Sequence, residues 1–550
     1  MNAFALAAGL ALLAPLLVCA LLPALGEARA RQVLRIALPA AGLPALALGL
    51  DPSGTLDLPW LLLGTRLETS DIGRALLLLV GIAWTLAGAY AADRVEARLR
   101  GFAAWWLLAL AGIQLAALAG DLASFYLGYA AMSLSAYGLV AHPRTPAAVR
   151  AARIYLAMTL LGEGALLAGV LALAGSGIHL LADVPGAAAP TAAAWLLLAG
   201  FGVKVGVAGL HLWLPVAHPA APVPASAVLS GVIVKAGLLG LLRLVPGAAL
   251  PEGAVPVLVG LGLFTAFYAV ATGLPQTRLK TVLAYSTVSQ MGLLFAAAAL
   301  ALAGPEADAA LALVTLLVLH HGLNKAALFL AAGHVPLRGA LRGVLFWLPA
   351  LSLAGLPLLS GALAKTGLKA GIEAVEMPAW TLTLLSLSSV GTTLLMWRAW
   401  TLARQGGEAP PRVHPALPML VLAGVVVPWL WAAPLDLAAL PAPYEVWAAA
   451  WPLGLAALLA WAWTRACRPL ADRIVGRVPE GDVLHPILAL LAALAAAAQR
   501  LPRPPAWRPP ERLGARLEAA IAAAETRLGT LAAAGTAVLA LVALTWLGWR

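Results

Sequence analysis

The sequence predicts an all-α integral membrane protein with about 15–16 transmembrane helices, because apolar runs of roughly 20 residues recur along the whole chain. Of the 550 residues, 62% are hydrophobic and 11% are charged, whereas soluble globular domains carry about 25% charged residues. No segment shows the strict apolar and polar alternation of a membrane β-barrel. We therefore expect a helical bundle with little room for a soluble domain.

The first predicted span, Phe4 to Leu22, has no basic residues before it and is too long for the core of a signal peptide. We therefore expect it to stay in the membrane. The approximate spans are 3–23, 32–50, 74–92, 101–119, 121–141, 152–176, 192–214, 223–246, 255–274, 281–303, 308–333, 343–376 (interrupted), 378–401, 416–433, 444–465 and 530–549. They group into N-terminal helices (1–100), a first half-channel repeat (101–250), a second repeat (251–402), additional helices (403–465), a basic segment (466–529) and a C-terminal anchor (530–550).

The loops predict the orientation of these spans. Arginines follow odd-numbered spans, as at Arg98, Arg144 and Arg338. Acidic residues follow even-numbered spans, as at Asp57 and Glu252. By the positive-inside rule the arginine loops face the cytoplasm and the N-terminus faces out. The abundance of Ala, Arg and Gly is typical of a GC-rich bacterial genome, so we expect a multi-pass protein of the bacterial cell (inner) membrane.

The basic segment 466–529 predicts a lateral, amphipathic element. Its apolar stretch from His485 to Ala498 is short for a span, which favours an interfacial helix along the cytoplasmic face, with a further short span as the alternative. The net charge of +11 is explained by topology signals in loops and tail, so nucleic-acid binding is not expected.

Several kinds of chemistry are not expected. The two cysteines exclude a cysteine-ligated iron–sulfur cluster. No phosphate-binding loop of the GxxxxGK[ST] type is present, which argues against ATP-driven transport by this chain. We therefore expect no cofactor, no metal site and no catalytic centre of its own.

The lysines give the first functional indication. The chain has six, most of them in or beside membrane-length apolar runs, while its loops use arginine. A lysine near the bilayer centre costs roughly 2.5–3.5 kcal/mol on insertion scales, and a buried lysine can release its proton whereas arginine cannot. The candidates for a proton relay are Lys204, Lys235, Lys325 and Lys365. For Lys280 and Lys369, snorkelling to the interface is an equal alternative.

One carboxylate and several histidines complete the predicted relay. Glu163 lies about ten residues into its span, too deep to snorkel, with a structural ion pair as the alternative. His211, His218, His320, His321 and His334 could relay protons between the lysines, and His211 and His321 are assigned to the predicted relay. Haem or metal ligation is the alternative for the histidines, and His218 and His334, near span ends, are equally consistent with a structural role.

The charged residues also suggest an internal repeat. Glu163 and Lys325 lie 162 residues apart, and Lys204 and Lys365 lie 161 apart. Prolines interrupt the span of Lys204, and the sequence LPLLSG interrupts that of Lys365. Two inverted five-helix repeats, each with one discontinuous helix, would match the transporter arrangement in which coupling sites lie near the midplane.

Three stretches resemble the antiporter-like proton-translocating subunits of respiratory complex I, membrane-bound hydrogenases and multi-subunit Mrp-type sodium/proton antiporters. They are FGVKVGVAGLHLWLPVAHPAAPVPASAVLSGVIVKAGLLGLLR (201–243), RLKTVLAYSTVSQMGLL (278–294), and HHGLNKAALFLAAGHV (320–335) with LSLAGLPLLSGALAK (351–365). The resemblance covers roughly residues 100–400. It implies a proton-conducting subunit without a redox centre, driven by a partner.

The resemblance also implies residue roles. Lys204 would be the central lysine of the first half, and Lys235 would lie on the path between the halves. Lys325 would be the counterpart in the second half, and Lys365 would face the outer exit.

The chain departs from the family at two positions. In SFYLGYAAMSLSAY, Ala130 stands where the family usually has a glutamate that pairs with the lysine of the seventh span, and Val216 replaces another common acidic residue. We hypothesise that Glu163 takes over as the partner of Lys204. The alternative is that the first half has lost conduction and is structural.

The sequence thus predicts a proton-translocating subunit of a NADH dehydrogenase, hydrogenase or Mrp-type complex. Its partners would be other membrane subunits, the bilayer and protons, with sodium left open. The alternatives are the proton-driven membrane subunit of an inorganic carbon uptake complex and a quinone- or haem-binding redox subunit.

Overall fold

The computed structural model describes residues 3–50, 54–303, 307–406, 410, 412–433, 443–465, 473–484 and 486. The described residues form a helical bundle. Its α-helices are α1 (Ala3–Leu21), α2 (Glu27–Ala40), α3 (Leu43–Leu50), α4 (Asp71–Arg94), α5 (Leu99–Leu118), α6 (Leu122–Ala141), α7 (Pro146–Gly175), α8 (Thr191–Val205), α9 (Trp213–Ala220), α10 (Val223–Val228), α11 (Lys235–Leu244), α12 (Ala254–Gly273), α13 (Leu279–Ala303), α14 (Ala307–Ala331), α15 (Ala340–Ala354), α16 (Ser360–Ala374), α17 (Trp380–Ala403), α18 (Ala416–Ala432) and α19 (Pro443–Arg465).

The all-α membrane fold predicted from the sequence is confirmed. Each predicted span up to residue 465 coincides with one helix or with a closely joined pair. Among the described residues, ten helical segments are long and apolar enough to cross a membrane, and three further apolar helices are shorter. Two of the shorter ones, α8 and α15, are the first parts of the interrupted spans. The predicted anchor 530–549 and the lateral stretch from His485 to Ala498 lie outside the described residues, except for Pro486.

The break in the seventh span is not where its prolines suggest. α8 ends at Gly206, which adopts the left-handed conformation with φ +83°, and the chain resumes as α9 at Trp213. Pro215 lies in the first turn of α9, where a missing N–H leaves no helical hydrogen bond unmade. The positive φ of glycine, rather than proline, therefore ends the helix.

The second interrupted span ends its first part in the same way. α15 stops at Gly355, with φ +91°, and α16 begins at Ser360 after the predicted LPLLSG break. At each break, the two parts of one interrupted helix meet inside the bundle. Backbone groups without helical partners can contact side chains at these points.

A short β-hairpin covers one end of the bundle and is not predicted by the sequence reasoning. Strand β1 (Thr55–Leu58) pairs antiparallel with β2 (Thr65–Glu68). The buried Arg243 of α11 donates to Glu68 Oε1 at 2.8 Å and also donates to the carbonyl of Ala119. The hairpin is therefore fastened to the end of α11 by an ion pair.

The arginine-bearing loops lie on one face of the bundle, as predicted. Arg31 donates to the carbonyl of Glu96, and Arg98 donates to that of Pro143. Arg338 likewise reaches the carbonyl of Gly406. These bonds join loops that follow different odd-numbered spans. We call this side the arginine face.

Burial places the centre of the molecule at two helices. In α13 and α14 the most apolar stretch is completely buried, whereas in α19 only 17% of it is. Close packing there depends on small residues: a Cβ at Gly262 of α12 would lie 2.5 Å from the carbonyl oxygen of Gly292 in α13. Lys325, carried by α14, is accordingly fully buried.

Candidate proton-relay site

Lys204 ends α8 inside a cage of aromatic rings. Its side chain is 4% exposed, and Nζ lies 5.2 Å, 5.7 Å and 5.9 Å from the ring centroids of Tyr155, Trp213 and Tyr129. Nζ also donates to the Tyr155 hydroxyl at 3.2 Å, which in turn donates to the carbonyl of Ser133 at 2.8 Å. Aromatic faces stabilise a desolvated ammonium by about 2 kcal/mol, so the cage can hold a proton on Lys204 without a carboxylate in contact.

Glu163 lies in α7, two turns after Tyr155, and is buried. Its charge acts on Lys204, and the Ser133 hydroxyl faces its carboxyl group. The two side chains form no direct ion pair, and among the described residues Glu163 Oε2 has no hydrogen-bond partner. A buried polar atom of this kind is usually satisfied by water. The structure therefore brings Glu163 near Lys204 without joining them.

Lys235 begins α11 directly after a π-helical turn, Leu229–Ile233. Its side chain is 1% exposed, and Nζ donates to the carbonyl of Ser230 at 2.5 Å. The Ser230 hydroxyl bonds Thr287 of α13 at 2.7 Å. Single π turns inside helices are frequent at functional sites, and this one turns Lys235 towards α13.

Lys325 lies in α14 and is fully buried. Its Nζ donates to the Ser286 hydroxyl at 2.6 Å and to the carbonyl of Leu283 at 3.1 Å, both on α13. One turn earlier, His321 feels the charges of both Lys235 and Lys325. Among the described residues neither ring nitrogen of His321 has a hydrogen-bond partner. His321 is thus close enough to both lysines for their charges to act on its ring.

His320, one of the histidines that could relay protons, is not assigned to the predicted relay, but it bonds the start of α16 at the second helix break. Its Nδ1 lies 2.8 Å from the Ser360 hydroxyl, at the start of α16. The charges of Lys365 and Lys235 both act on its ring. His320 therefore contacts the second helix break, which His321 does not. The adjacent pair of histidines in an apolar run is the sequence signal, but it does not tell which ring turns to the break.

Lys365 lies in α16 and is half-buried. Its Nζ donates to the Ser389 hydroxyl of α17 at 2.5 Å and to the carbonyl of Ala354 at 3.0 Å, the last residue of α15. It borders a cavity of about 370 Å³, which we call the Lys365 cavity. The cavity is lined by Gly355, Ala362, Lys365, Thr366, Lys369, Ala370, Glu373, Leu385, Ser386, Ser389, Ala448 and Ala449.

His211 lies in the break between α8 and α9 and is fully buried. Its Nε2 bonds Asp482 at 3.0 Å, a residue 271 positions later in the chain. No feature of the sequence indicated this pairing, because Asp482 is one acidic residue within a basic tail. Of the other histidines, His218 stacks on Phe329, and His334 accepts from the backbone N–H of His414.

The four relay lysines share one feature. In the described part of the chain, none of them forms an ion pair with a carboxylate, and each donates to a hydroxyl or carbonyl oxygen instead. Together with the two helix breaks, this arrangement defines a class: a polytopic helical membrane protein with titratable amines and imidazoles along its core.

Comparison with known proteins identifies the family within this class. The family model described as "NADH:quinone oxidoreductase/Mrp antiporter, TM" matches residues 119–393, half of the chain. The chain therefore belongs to the NADH:quinone oxidoreductase/Mrp antiporter transmembrane family, and it is an antiporter-like membrane protein of the complex I, hydrogenase and Mrp type. The resemblance seen in the sequence is confirmed.

Individual relatives agree with this assignment. An uncharacterized protein of Mycobacterium tuberculosis (strain H37Rv) is 32% identical over 351 residues, which is 57% of this chain and 54% of that protein. "Hydrogenase-4 component B" of Escherichia coli (strain K12) is 36% identical over 201 residues, 32% of this chain and 30% of that protein. The chain thus spans about half of the first of these relatives and about a third of the second.

A solved structure supports the fold. A chain of the membrane-bound sulfane sulfur reductase, an archaeal respiratory membrane complex, superposes with a TM-score of 0.68 at 20% identity. The match covers 82% of this chain and 99% of the other.

Proposed function

We propose that this chain conducts protons across the membrane through the relay Glu163, Lys204, Lys235, Lys325 and Lys365, with His211 and His321 as carriers, as one subunit of a multi-subunit membrane complex. The observation that supports this function best is the shared environment of the four lysines: each is buried or half-buried, and each donates to a neutral oxygen.

A lysine in this environment can change its protonation state in place. Without a carboxylate in contact, burial disfavours the ammonium form, so the proton is not locked on the amine. A hydroxyl can accept from an ammonium or donate to a neutral amine. Ser286 and Ser389 can therefore stay bonded to Lys325 and Lys365 in both states. Arginine at these positions would keep its proton and stop the exchange.

The electrostatic contacts give the order of the relay. The charge of Lys325 acts on Lys235, and His321 feels both. The charges of Lys365 and Lys235 both act on His320, which contacts the second break. A proton that arrives at one group raises the energy of a charge on the next, so each transfer favours the one that follows. The proposed path therefore runs from α11 through α14 to α16.

In the first half, Glu163 takes the part of the glutamate missing at position 130. Its carboxylate is buried one helix away, and its charge reaches Lys204 across the space faced by Ser133. The aromatic cage holds the ammonium between transfers. Because no redox group is expected in this chain, the driving energy comes from partner subunits.

Transport by the Lys325→Met variant tests the proposed function. The full chain is kept in its native complex, inverted membrane vesicles are energised, and proton translocation is followed by a pH-sensitive dye, with and without sodium. We expect Lys325→Met to reduce translocation by about 100-fold, the scale of one lost proton-transfer group. Arg404→Met, which removes an exposed cation outside the relay and the Lys365 cavity, serves as the control and should keep the wild-type rate. Normal translocation by Lys325→Met would overturn the proposal.

A further inference from the structure

Segment 473–484, which follows α19, docks on the arginine face of the first half. The N–H of Gly476 donates to the carbonyl of Pro275 at 2.8 Å, and Gln276 Nε2 donates to the carbonyl of Val478 at 3.3 Å. Glu480 accepts from the Thr281 hydroxyl at 2.8 Å. These contacts fix the segment over the loop between α12 and α13. The segment lies beyond residues 119–393, the part of the chain that the family model matches.

The docked segment places one carboxylate inside the protein. Asp482 is 7% exposed, and its Oδ2 accepts from the Tyr285 hydroxyl at 2.9 Å and contacts His211 Nε2 at 3.0 Å. Its other oxygen accepts from the N–H of Val483. Burial raises the pKa of Asp482. The hydrogen bond and charge of His211, together with hydrogen bonds from the Val483 N–H and the Tyr285 hydroxyl, have the larger effect and hold this pKa below its usual range. The carboxyl group is therefore ionised at neutral pH.

The backbone around Asp482 is held in an uncommon conformation. Gly481 has φ +83° and Asp482 has φ +37°, a region that favours glycine and tolerates Asp better than most residues. A Cβ at Gly481 would lie 3.1 Å from Val216 Cγ1. Position 216 is where the resembling proteins commonly carry an acidic residue. Here Gly481 packs against Val216, which lets the tail bring Asp482 to His211.

Water reaches the docked segment from the arginine face. An open cleft of about 1290 Å³ is lined by Glu480 and Leu484, which flank Asp482 in sequence, and by Val216 and Arg278. The cleft thus reaches the residues two positions before and after Asp482. The Asp482 carboxylate in turn contacts the His211 ring.

We propose that Asp482 positions His211 and balances the charge of its protonated ring, so that His211 is the group that takes up protons at the arginine face. Segment 473–484 is then a functional part of the first half. This inference rests on the proposed function. An ionised carboxylate only accepts hydrogen bonds, so His211 Nε2 carries the hydrogen. Nδ1 is then the basic nitrogen of the neutral ring, and among the described residues it has no partner.

The proton step follows from this tautomer. When Nδ1 takes up a proton, the ring becomes an imidazolium whose charge is balanced by the Asp482 carboxylate. The carboxylate stays ionised throughout. When Nδ1 passes its proton to the next group of the relay, the ring returns to the neutral tautomer. The other ionisable side chains against this pair are Tyr268 of α12 and Tyr285 of α13, with Glu480 and Arg278 on the solvent side.

Substitution of Asp482 tests this role through the pH profile of translocation. In inverted vesicles carrying the native complex, the arginine face is predicted to face the bath, whose pH is varied from about 6 to about 9, the range in which histidine charges. In Asp482→Asn the imidazolium loses its counter-charge, and we expect the profile to shift to lower pH by about one unit or more. Asp482→Glu should restore the wild-type position. Glu96→Gln, which removes an exposed carboxylate elsewhere on the arginine face, should cause no shift.

A second variant separates an electrostatic role from a structural one. The Tyr285 hydroxyl shares Oδ2 of Asp482 with His211, so Tyr285→Phe leaves more of the carboxylate charge to the ring. We expect its profile to shift to higher pH, opposite to Asp482→Asn. An unshifted profile in Asp482→Asn, or shifts in the same direction in both variants, would overturn the inference. Should Asp482→Asn fail to assemble, the direction of the Tyr285→Phe shift decides the question.

Lys204→Met in the same vesicles distinguishes this inference from the proposed function. If Lys204→Met still translocates protons, the proposed relay fails and takes this inference with it. If Lys204→Met blocks translocation while Asp482→Asn keeps the wild-type profile, only the role of Asp482 is lost.

Discussion

The two halves of the protein hold their lysines in different surroundings. Lys204 is enclosed by three aromatic rings and is 4% exposed. Lys365 is half-buried, bonds Ser389 and borders the Lys365 cavity. A proton on Lys204 can be exchanged only through neighbouring protein groups or trapped water, whereas Lys365 has open space beside it. We therefore propose that the first half holds a proton and that the second half releases one.

The helix breaks show the same difference. Lys204 comes two residues before the left-handed Gly206, and Lys365 comes ten residues after the left-handed Gly355. The two glycines are 149 residues apart, whereas the lysines are 161 apart. An alignment of the two halves that matches the lysines therefore does not match the helix breaks. Each lysine belongs to the opposite part of its interrupted helix, which gives the two sites different neighbours.

The largest expected effect comes from changing the lysine beside the cavity. Lys365→Met should reduce proton translocation in vesicles by about 100-fold, because the last exchangeable group is lost. Lys365→Arg keeps the charge but not the ability to release a proton, and it should be equally inactive. Substantial activity in Lys365→Arg would show that only a fixed charge is needed at this position. The proposal that the second half releases a proton while the first holds one would then be wrong.

A smaller effect is expected from the carboxylate of the first half. Glu163→Gln removes the charge that acts on Lys204 while it keeps the shape, and we expect about a tenfold loss of translocation. Glu163→Asp should retain more activity. Unchanged transport in Glu163→Gln together with abolished transport in Lys204→Met would show that Glu163 is not the partner of Lys204. If both variants transport normally, the first half is structural.

The sequence predicts most of the fold because membrane spans are a local property. A run of about 20 apolar residues has to form a helix in a bilayer whatever its neighbours are. Each span predicted up to residue 465 is a helix in the structure. The site is predicted in part for the same reason, since a lysine within an apolar run is unusual wherever it occurs. The locations of Lys235 and Lys325 in buried helices follow directly.

The features that the sequence does not predict depend on distant parts of the chain. Asp482 meets His211 across 271 residues, and Arg243 meets Glu68 across 175. In both pairs, one residue lies in a segment whose local sequence can be explained without reference to the distant partner. The aromatic cage is similar, since Tyr155 becomes a partner of Lys204 only after α7 and α8 pack together.

Removal of the Tyr155 hydroxyl sharpens the description of the aromatic cage. Tyr155→Phe keeps the ring over Lys204 but removes the oxygen that accepts from Nζ at 3.2 Å. The loss of one hydrogen bond is worth about 1 kcal/mol, so we expect roughly a fivefold reduction of translocation. Tyr155→Leu, which removes the ring as well, should reduce it further. Equal activity of the two variants would mean that the ring contributes nothing to holding the proton.

The smallest effect on transport is expected at the ion pair that fastens the hairpin to α11. Glu68→Gln leaves Arg243 buried without its carboxylate, which destabilises a protein more than the loss of an exposed pair does. We expect the thermal midpoint of the purified protein to fall by about 2 °C or more, while translocation stays within about twofold of wild type. Asp57→Asn on the same hairpin breaks only the exposed contact to Arg66 and should leave the midpoint unchanged. If Glu68→Gln instead stops translocation and leaves the thermal midpoint unchanged, this end of the first half takes part in proton transfer. The proposal that the first half only holds a proton would then be wrong.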